Sequence, residues 1–188
     1  MKRIETELPG VFIIEPQVFE DSRGCFFETY HREKFAALGI EAVFVQENQS
    51  VTNTGILRGL HYQLRYPQAK LCRVIRGEVL DVAVDIRVGS KTFGRWIAVV
   101  LSAENRRQLF IPRGFAHGFI VRSEVAEFLY KCDEFYHPAD EGGVLWSDPQ
   151  LAILWGNTNP RLSERDASYP LLSEIDPGRL PRHAGDSN

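Results

Sequence analysis

The succession of short apolar stretches constrains the fold of this chain more than any other feature of its sequence. Segments such as "AVFVQENQSV", "AKLCRVIRG", "RWIAVVLSA" and "GFAHGFIV" follow one another, with Gly, Asn, Asp or Pro between them. Runs of this kind, rich in β-branched and aromatic residues and bounded by turn residues, are typical of strands. About ten of them with few helices predict a mainly β domain, which is a sandwich, a jelly roll or a small barrel.

The segment "VLDVAVDI" shows strand alternation most clearly. Successive side chains of a strand point to opposite faces. One face is predicted to carry the two aspartates with two apolar residues: Val79, Asp81, Ala83 and Asp85. The other face is predicted to be wholly apolar: Leu80, Val82, Val84 and Ile86. Helix is predicted only in "HREKFAALG", which Gly39 would end as a C-cap, and in "LSERDASYP", as a turn capped by Ser163.

Composition limits the partners and the compartment. The chain has 188 residues and a net charge of −3, which favours neither nucleic acid nor an anionic membrane as a partner. Any anionic ligand must therefore be met by local arginines and lysines. The three cysteines, Cys25, Cys72 and Cys132, form no CxxC pair, so neither a disulfide framework nor a zinc knuckle is expected. With no signal-like start and no long apolar run, a cytoplasmic protein without a membrane span is predicted.

A metal site is the first chemical hypothesis. "IPRGFAHGF" contains Pro112, Gly114 and His117 in a PxGxxH arrangement, which resembles the second motif of the cupin superfamily. The first motif of that superfamily supplies HxH and then Glu, whereas this chain reads His61-Tyr62-Gln63. Two imidazoles without a third good ligand make a poor site for zinc or iron. We predict a cupin-type jelly roll (a double-stranded β-helix with a few short helices) and no metal.

Proton chemistry by His61 is the second hypothesis. Histidine exchanges protons near neutral pH, but a core histidine hydrogen-bonded to the backbone is the alternative interpretation. Tyr130 alternates with apolar residues, so its phenol is expected to point inwards. Strand parity alone places Arg58 and His61 on opposite faces, so Gly59 is expected to mark a bulge or bend. A similar choice holds for Arg23 in the turn of "FEDSRGCFFE", which is either a solvated turn residue or a phosphate ligand.

Taken together, these segments resemble one family, the dTDP-4-dehydrorhamnose 3,5-epimerases. The matching stretches include "FEDSRGCFFETY", "FVQENQSVTNTGILRGLHYQ", "LSAENRRQLFIPRGFAHGFIV" and "YKCDEFYHPADEGGVLWSDP", in the family's order over residues 11–170. The resemblance implies one cupin domain over residues 1–170, with a C-terminal tail at 171–188. It also implies a homodimer in which the N-terminal strands reach across to the partner.

The resemblance further implies site residues and their roles. His61 would be the general base, Asp166 its orienting partner, Tyr130 the proton donor on the other face of the sugar, and Lys70 the stabiliser of the enolate oxygen. Arg23 and Arg58 would hold the nucleotide diphosphate. Phe19 and Phe26 would stack on thymine, the former across the dimer. Further nucleotide or sugar contacts are implied at Glu28, Gln46, Glu47, Asn48, His117, Glu141 and Arg165. No cofactor is expected, since the substrate's keto group takes up the electron pair.

The function implied is 3,5-epimerisation of dTDP-4-dehydro-6-deoxy-D-glucose, a step of dTDP-L-rhamnose biosynthesis for polysaccharide assembly. The expected partners are this dTDP-linked 4-keto-6-deoxyhexose and a second copy of the chain. One alternative is a mono-epimerase that acts at C3 or C5 in secondary metabolism. Two alternatives of another class are a metal-dependent cupin and a non-catalytic module that binds sugar nucleotides.

Overall fold

The structure is a computed structural model that describes residues 1–183, so residues 184–188, the end of the predicted tail, lie outside the described residues. The described chain forms these strands in order: β1 (Lys2–Glu5), β2 (Phe12–Glu15), β3 (Val18–Asp21), β4 (Gly24–Phe27), β5 (Gln46–Asn53), β6 (Leu57–Gln63), β7 (Lys70–Arg76), β8 (Glu78–Asp85), β9 (Trp96–Ser102), β10 (Gln108–Ile111), β11 (Phe115–Val121), β12 (Val125–Cys132) and β13 (Glu141–Gly143). Two short α-helices, α1 (Arg32–Ala37) and α2 (Glu164–Ala167), accompany them. Three single-turn 3-10 helices lie at Pro138–Asp140, Leu172–Glu174 and Pro177–Arg179.

Two large antiparallel sheets make up the domain. The first has six strands in the order β1-β2-β10-β7-β12-β5, and the second has five in the order β13-β6-β11-β8-β9. β3 and β4 form a separate two-stranded hairpin. The predicted mainly β jelly roll with a few short helices is confirmed.

The main core lies between the two large sheets. Phe119 from β11 and Phe128 from β12 stack across this space, with their ring centroids 4.2 Å apart. The β8 alternation is also confirmed, because Val79 and Ala83 belong to this core. The other face of β8 belongs to a second core: Leu80, Val82, Val84 and Ile86.

The C-terminal part of the chain covers the outer face of the five-stranded sheet. Its buried side chains there include Val144, Leu151, Trp155, Leu172 and Leu180. The last two belong to the predicted tail, so its first residues pack on the domain. As part of this C-terminal segment, α2 lies beside β6, although about 100 positions separate the two elements in the sequence.

Helix ends follow local capping rules. The side chain of Ser163 accepts a hydrogen bond from the backbone N–H of Asp166, which confirms the predicted cap of α2. The C-cap of α1 is Leu38, and Gly39 follows it with a φ of 81°. The prediction that Gly39 is the C-cap itself was therefore one residue late, since glycine takes the left-handed position just beyond the cap. Within residues 1–183, no helix is long and apolar enough to cross a membrane.

Candidate active site

A cavity of about 600 Å³ opens between the two large sheets. It is lined by ten of the site residues that the sequence predicts: Gln46, Asn48, Arg58, His61, Lys70, His117, Tyr130, Glu141, Arg165 and Asp166. His61 comes from β6 of the five-stranded sheet, and Tyr130 comes from β12 of the six-stranded sheet. The two groups predicted to exchange protons therefore belong to opposite walls of the same cavity.

An irregularity at Gly59 brings Arg58 and His61 to this cavity together. The β6–β11 register shifts between the pair His61–His117 and the pair Arg58–Phe119. Gly59 has a φ of 123°, and a Cβ there would lie 2.5 Å from the Cα of Gly118. A side chain at position 59 would thus be both strained and crowded. The predicted bend at Gly59 is confirmed, and it explains why two residues of opposite parity line one cavity.

His61 is hydrogen-bonded to Asp166, whose position is fixed by α2. Nε2 of His61 and Oδ1 of Asp166 are 2.7 Å apart, and Oδ2 of Asp166 accepts the backbone N–H of Gly59 at 3.3 Å. Burial opposes ionisation of Asp166, but the hydrogen bond with His61 and the amide of Gly59 lower its pKa below the usual value. An ionised carboxylate only accepts hydrogen bonds, so Nε2 of His61 carries the proton. Nδ1 is then the nitrogen that is free to take a proton.

Tyr130 lies on the opposite wall, in apolar surroundings. It packs against the core that contains Ala126 and Phe128, as the alternation in β12 predicts, while Lys131 pairs with Glu47 on the other face of the strand. Burial, with smaller contributions from Cys132 and Cys72, raises the pKa of Tyr130 to about 12. The phenol therefore stays protonated at neutral pH and can serve as a proton donor.

Two cations complete the wall around Tyr130. The ammonium of Lys70 lies 5.8 Å from the centroid of the Tyr130 ring. Arg58 donates from Nε to the hydroxyl of Thr52 at 3.2 Å, which leaves the rest of its guanidinium for a ligand. A net-negative chain thus places positive charge where an anionic ligand or a developing oxyanion would lie.

A hydrogen-bonded group of three residues forms the rim near His61. Arg165 pairs with the carboxylate of Glu141, and the hydroxyl of Tyr136 donates to Oε2 of Glu141 at 2.8 Å. Oε1 of Glu141 lies 4.0 Å from Nδ1 of His61. His61 therefore has a carboxylate on each side of its ring, one in a direct hydrogen bond and one farther away.

A second histidine–aspartate pair lies deeper in the core. Nε2 of His117 and Oδ1 of Asp81 are 2.9 Å apart, with the Sγ of Cys72 3.8 Å from the same nitrogen. Burial lowers the pKa of His117 despite Asp81, and burial raises the pKa of Cys72 well above its usual value. Two ligands of one tetrahedral zinc ion would stand about 3.3 Å apart. The separation of 2.9 Å is that of a hydrogen bond, so this cluster is arranged as a paired dyad and fits a metal poorly.

Five predicted site residues do not reach the cavity of their own chain. Phe19, Arg23 and Phe26 lie on the β3–β4 hairpin, where Phe19 and Phe26 are 57% and 71% exposed. Arg23 pairs with Asp21 in the same hairpin, and Glu28 pairs with Lys34. Glu47 is on the outer face of β5, where it pairs with Lys131.

The cavity also contains residues that the sequence analysis missed. Tyr136 lies in the irregular segment before β13, where no periodicity marks it. Ser50 shares the parity of Gln46 and Asn48 in β5, so the alternation of that strand could have identified it. Its Oγ is buried and has no hydrogen-bond partner among residues 1–183, which leaves the hydroxyl for a ligand.

Comparison with known proteins gives consistent matches over nearly the whole chain. A family model described as dTDP-4-dehydrorhamnose 3,5-epimerase matches residues 5–174. The dTDP-4-dehydrorhamnose 3,5-epimerase of Shigella flexneri is 55% identical over 178 residues, which cover 94% of this chain and 98% of that protein.

Solved structures share the fold. A dTDP-6-deoxy-D-glucose-3,5-epimerase from Legionella pneumophila, in complex with dTDP-4-keto-L-rhamnose, has a TM-score of 0.94 and 49% identity, over 97% of this chain and 98% of that one. A 3'-monoepimerase from Streptomyces bikiniensis, in complex with dTDP-quinovose, has a TM-score of 0.88 and 36% identity, over 94% of this chain and 91% of that one.

Proposed function

The chain belongs to the dTDP-4-dehydrorhamnose 3,5-epimerase family, and from this membership we propose that it epimerises dTDP-4-dehydro-6-deoxy-D-glucose at C3 and C5. It is an isomerase that acts on a nucleotide sugar. The observation that carries the proposal is the pairing of the His61–Asp166 dyad on one wall of the cavity with the protonated phenol of Tyr130 on the other. Inversion at carbon needs a base and an acid on opposite faces, and the two walls of this cavity carry a candidate for each.

The reaction begins with removal of a proton next to the C4 ketone. Nδ1 of His61 takes this proton, because Nε2 is already bound to Asp166. The carboxylate of Asp166 stabilises the imidazolium that forms. The electron pair of the broken C–H bond moves into the ketone and gives an enolate, whose oxygen Lys70 stabilises as its charge develops.

Return of a proton on the other face completes each inversion. Tyr130 gives its hydroxyl proton to the same carbon, a new C–H bond forms, and the ketone is restored. His61 is left protonated and Tyr130 deprotonated, so exchange with solvent must reset both groups before the next inversion. This scheme uses only the substrate's keto group as electron acceptor, and it calls for no cofactor.

The β3–β4 hairpin is best explained by a homodimer. It exposes two phenylalanines, and among residues 1–183 the guanidinium of Arg23 pairs with Asp21 of the same hairpin, so these side chains are available to a second copy of the chain. In the dimer, the hairpin of one protomer would bring Arg23 to the diphosphate and Phe19 to the thymine in its partner's cavity.

Complementation between two impaired variants tests this exchange, at substrate concentrations well below the parent's KM, where the weaker binding expected of Arg23→Ala lowers the rate. Co-expression of Arg23→Ala with His61→Asn yields mixed dimers, in which one site combines an intact hairpin with an intact base. Random pairing should restore about a quarter of the parent's activity. Activity no greater than that of the two variants purified separately would show that each hairpin serves its own chain.

A mono-epimerase is the second candidate. The Streptomyces bikiniensis 3'-monoepimerase has the same fold at 36% identity, so the fold does not separate one inversion from two.

Proton NMR of dTDP-4-keto-6-deoxyglucose incubated with the protein in D₂O tests the function. Loss of both the C3 and the C5 signals is expected, and loss of only one would identify the mono-epimerase and its carbon. Matched incubations without protein and with His61→Asn give the spontaneous exchange. If the parent exchanges neither proton faster than these controls, the catalytic proposal fails. The chain would then be a non-catalytic module that binds sugar nucleotides.

A further inference from the structure

Tyr169 lies against the imidazole of His61 but is not one of the residues that line the cavity. Its ring and the His61 ring meet edge to face, with centroids 5.8 Å apart and planes inclined at 72°. It follows α2, three residues after Asp166. The ring of Tyr169 therefore contacts the proposed base but does not form part of the cavity wall.

The chain makes room for this ring at Gly143. Gly143 is the residue of β13 that stands directly opposite His61 in β6. A Cβ at Gly143 would lie 2.4 Å from two atoms of the Tyr169 ring, closer than real carbon atoms approach. The ring thus occupies the space that any side chain at position 143 would fill, and it rests on the backbone that pairs with His61.

Glu141 lies on the same short strand, two residues before Gly143. Residues 141 and 143 project from the same face of β13, since side chains alternate along a strand. Glu141 holds its Oε1 4.0 Å from Nδ1 of His61. The backbone N–H of Leu145 donates to the carbonyl of Pro170 at 2.8 Å, which ties the chain next to Tyr169 to the residues after β13. Tyr169 is thereby clamped between the base and the strand that carries the second carboxylate.

The phenol hydroxyl of Tyr169 makes no hydrogen bond to His61, Glu141 or any other residue among 1–183. Its oxygen is buried. Burial, followed by the nearby charge of Glu141, raises the pKa of Tyr169 to about 12. The hydroxyl is therefore neutral at pH 7, and it is the ring of Tyr169 that contacts the imidazole of His61.

We propose that Tyr169 is a positioning residue, whose ring holds the imidazole of His61 against Asp166 and sets its distance from Glu141. This inference rests on the proposed function for the role of His61. Aromatic contacts of this kind contribute about 0.5–1.5 kcal/mol beyond the area they bury, enough to favour one orientation of the imidazole. The ring also covers part of the His61 imidazole, which limits the access of water to the proton shared with Asp166.

Three variants separate the ring from the hydroxyl and from simple loss of folding. Tyr169→Phe keeps the ring, Tyr169→Ala removes it, and Gly143→Ala leaves Tyr169 intact but displaces its ring. We expect Tyr169→Phe to keep the parent's kcat. The other two should lose about 10-fold to 100-fold in kcat, because small misplacement of a catalytic group is costly. KM should change less than about twofold in all three, since no contact with the substrate is lost.

A spectroscopic measurement tests the same point without any turnover. The proton that His61 shares with Asp166 should give a far-downfield imidazole N–H signal, identified by its loss in His61→Asn. This signal should persist in Tyr169→Phe and broaden or vanish through exchange with water in Tyr169→Ala. The buried pair of His117 and Asp81 provides an internal control, and its signal should be unchanged in all variants.

The outcomes distinguish this inference from the proposed function. The inference is overturned if Tyr169→Ala and Gly143→Ala, folded by circular dichroism, retain both the parent's kcat and the His61 signal. It is also overturned if the loss appears in KM instead of kcat, since Tyr169 would then contact the substrate. A parent protein that does not turn over the sugar nucleotide would overturn the proposed function, while the NMR comparison would still decide whether Tyr169 holds His61.

Discussion

Nε2 of His61 and Oδ1 of Asp166 lie 2.7 Å apart, although 105 positions separate the two residues in the chain. The jelly roll makes this possible because its C-terminal part returns over the outer face of the five-stranded sheet. The cap that Ser163 gives α2 then fixes Asp166 beside β6. The segment that covers one core therefore also positions Asp166, the partner of the proposed base.

Asp166→Asn should lower kcat by about 100-fold or more while the protein stays folded. The amide can still accept a hydrogen bond, but it carries no negative charge to stabilise the imidazolium. Steady-state kinetics with the sugar nucleotide should show the loss in kcat and little change in KM. Asp176→Asn is the control, because Asp176 caps an exposed turn through the N–H of Gly178. Equal effects of the two changes would remove Asp166 from the proposed mechanism.

Tyr130→Phe should lower kcat by about 10²-fold to 10⁴-fold, since it deletes the proposed general acid and leaves the ring in place. In the parent, the donor form is lost only as pH rises through the pKa of Tyr130, which burial raises to about 12. A kcat profile should thus show no decline from this group up to about pH 10, where an ordinary tyrosine would be half ionised. Normal turnover by Tyr130→Phe would assign the donor to another residue.

Arg58→Ala should raise KM several-fold and leave kcat nearly unchanged. A contact with the diphosphate acts equally in the ground state and the transition state, so its loss weakens binding without slowing the chemical step. Calorimetric titration with dTDP should show the same loss of affinity. Arg76→Ala serves as the control, since Arg76 is an exposed arginine that pairs loosely with Glu127. A fall in kcat alone would contradict the assignment of Arg58 to the diphosphate.

The sequence predicts the direction of those site residues that lie in strands, because side chains alternate along a strand and glycine marks where a strand bends. The inward direction of Tyr130 follows from parity, and the bend at Gly59 follows from the need to bring Arg58 and His61 to one face. Asp166 was predicted only through the family resemblance, because nothing local signals a contact over 105 positions.

Loop residues and the hairpin were less predictable. Tyr136 and Tyr169 lie in irregular segments, where no period relates a residue to the cavity. The phenylalanines of the β3–β4 hairpin remain assigned by resemblance alone, since their contacts would belong to a second copy of the chain.

Two aspartates with the same local arrangement but different burial allow a last prediction, on stability. Asp85 is fully buried and accepts from Arg87, Ser90 and Thr92, whereas Asp21 is exposed and accepts from Arg23 two residues later. Burial opposes ionisation of Asp85, but these hydrogen bonds prevail and lower its pKa. Its charged form therefore stabilises the fold at neutral pH, and this stabilisation is lost as pH falls through the lowered pKa.

Asp85→Asn should accordingly reduce the free energy of unfolding by about 3 kcal/mol at pH 7, because the guanidinium of Arg87 loses its buried partner. Asp21→Asn should leave the urea midpoint unchanged, since its ion pair is screened by solvent. The sign of the pKa change makes the pH dependence a second test. As pH falls below about 4, Asp85 becomes protonated first in the unfolded chain, so the stability difference between the parent and Asp85→Asn should begin to shrink, and it should be lost as pH passes through the lowered pKa of folded Asp85. If the difference in unfolding free energy between the parent and Asp85→Asn stays constant down to the acid transition, altered packing rather than the lost charge destabilises the variant.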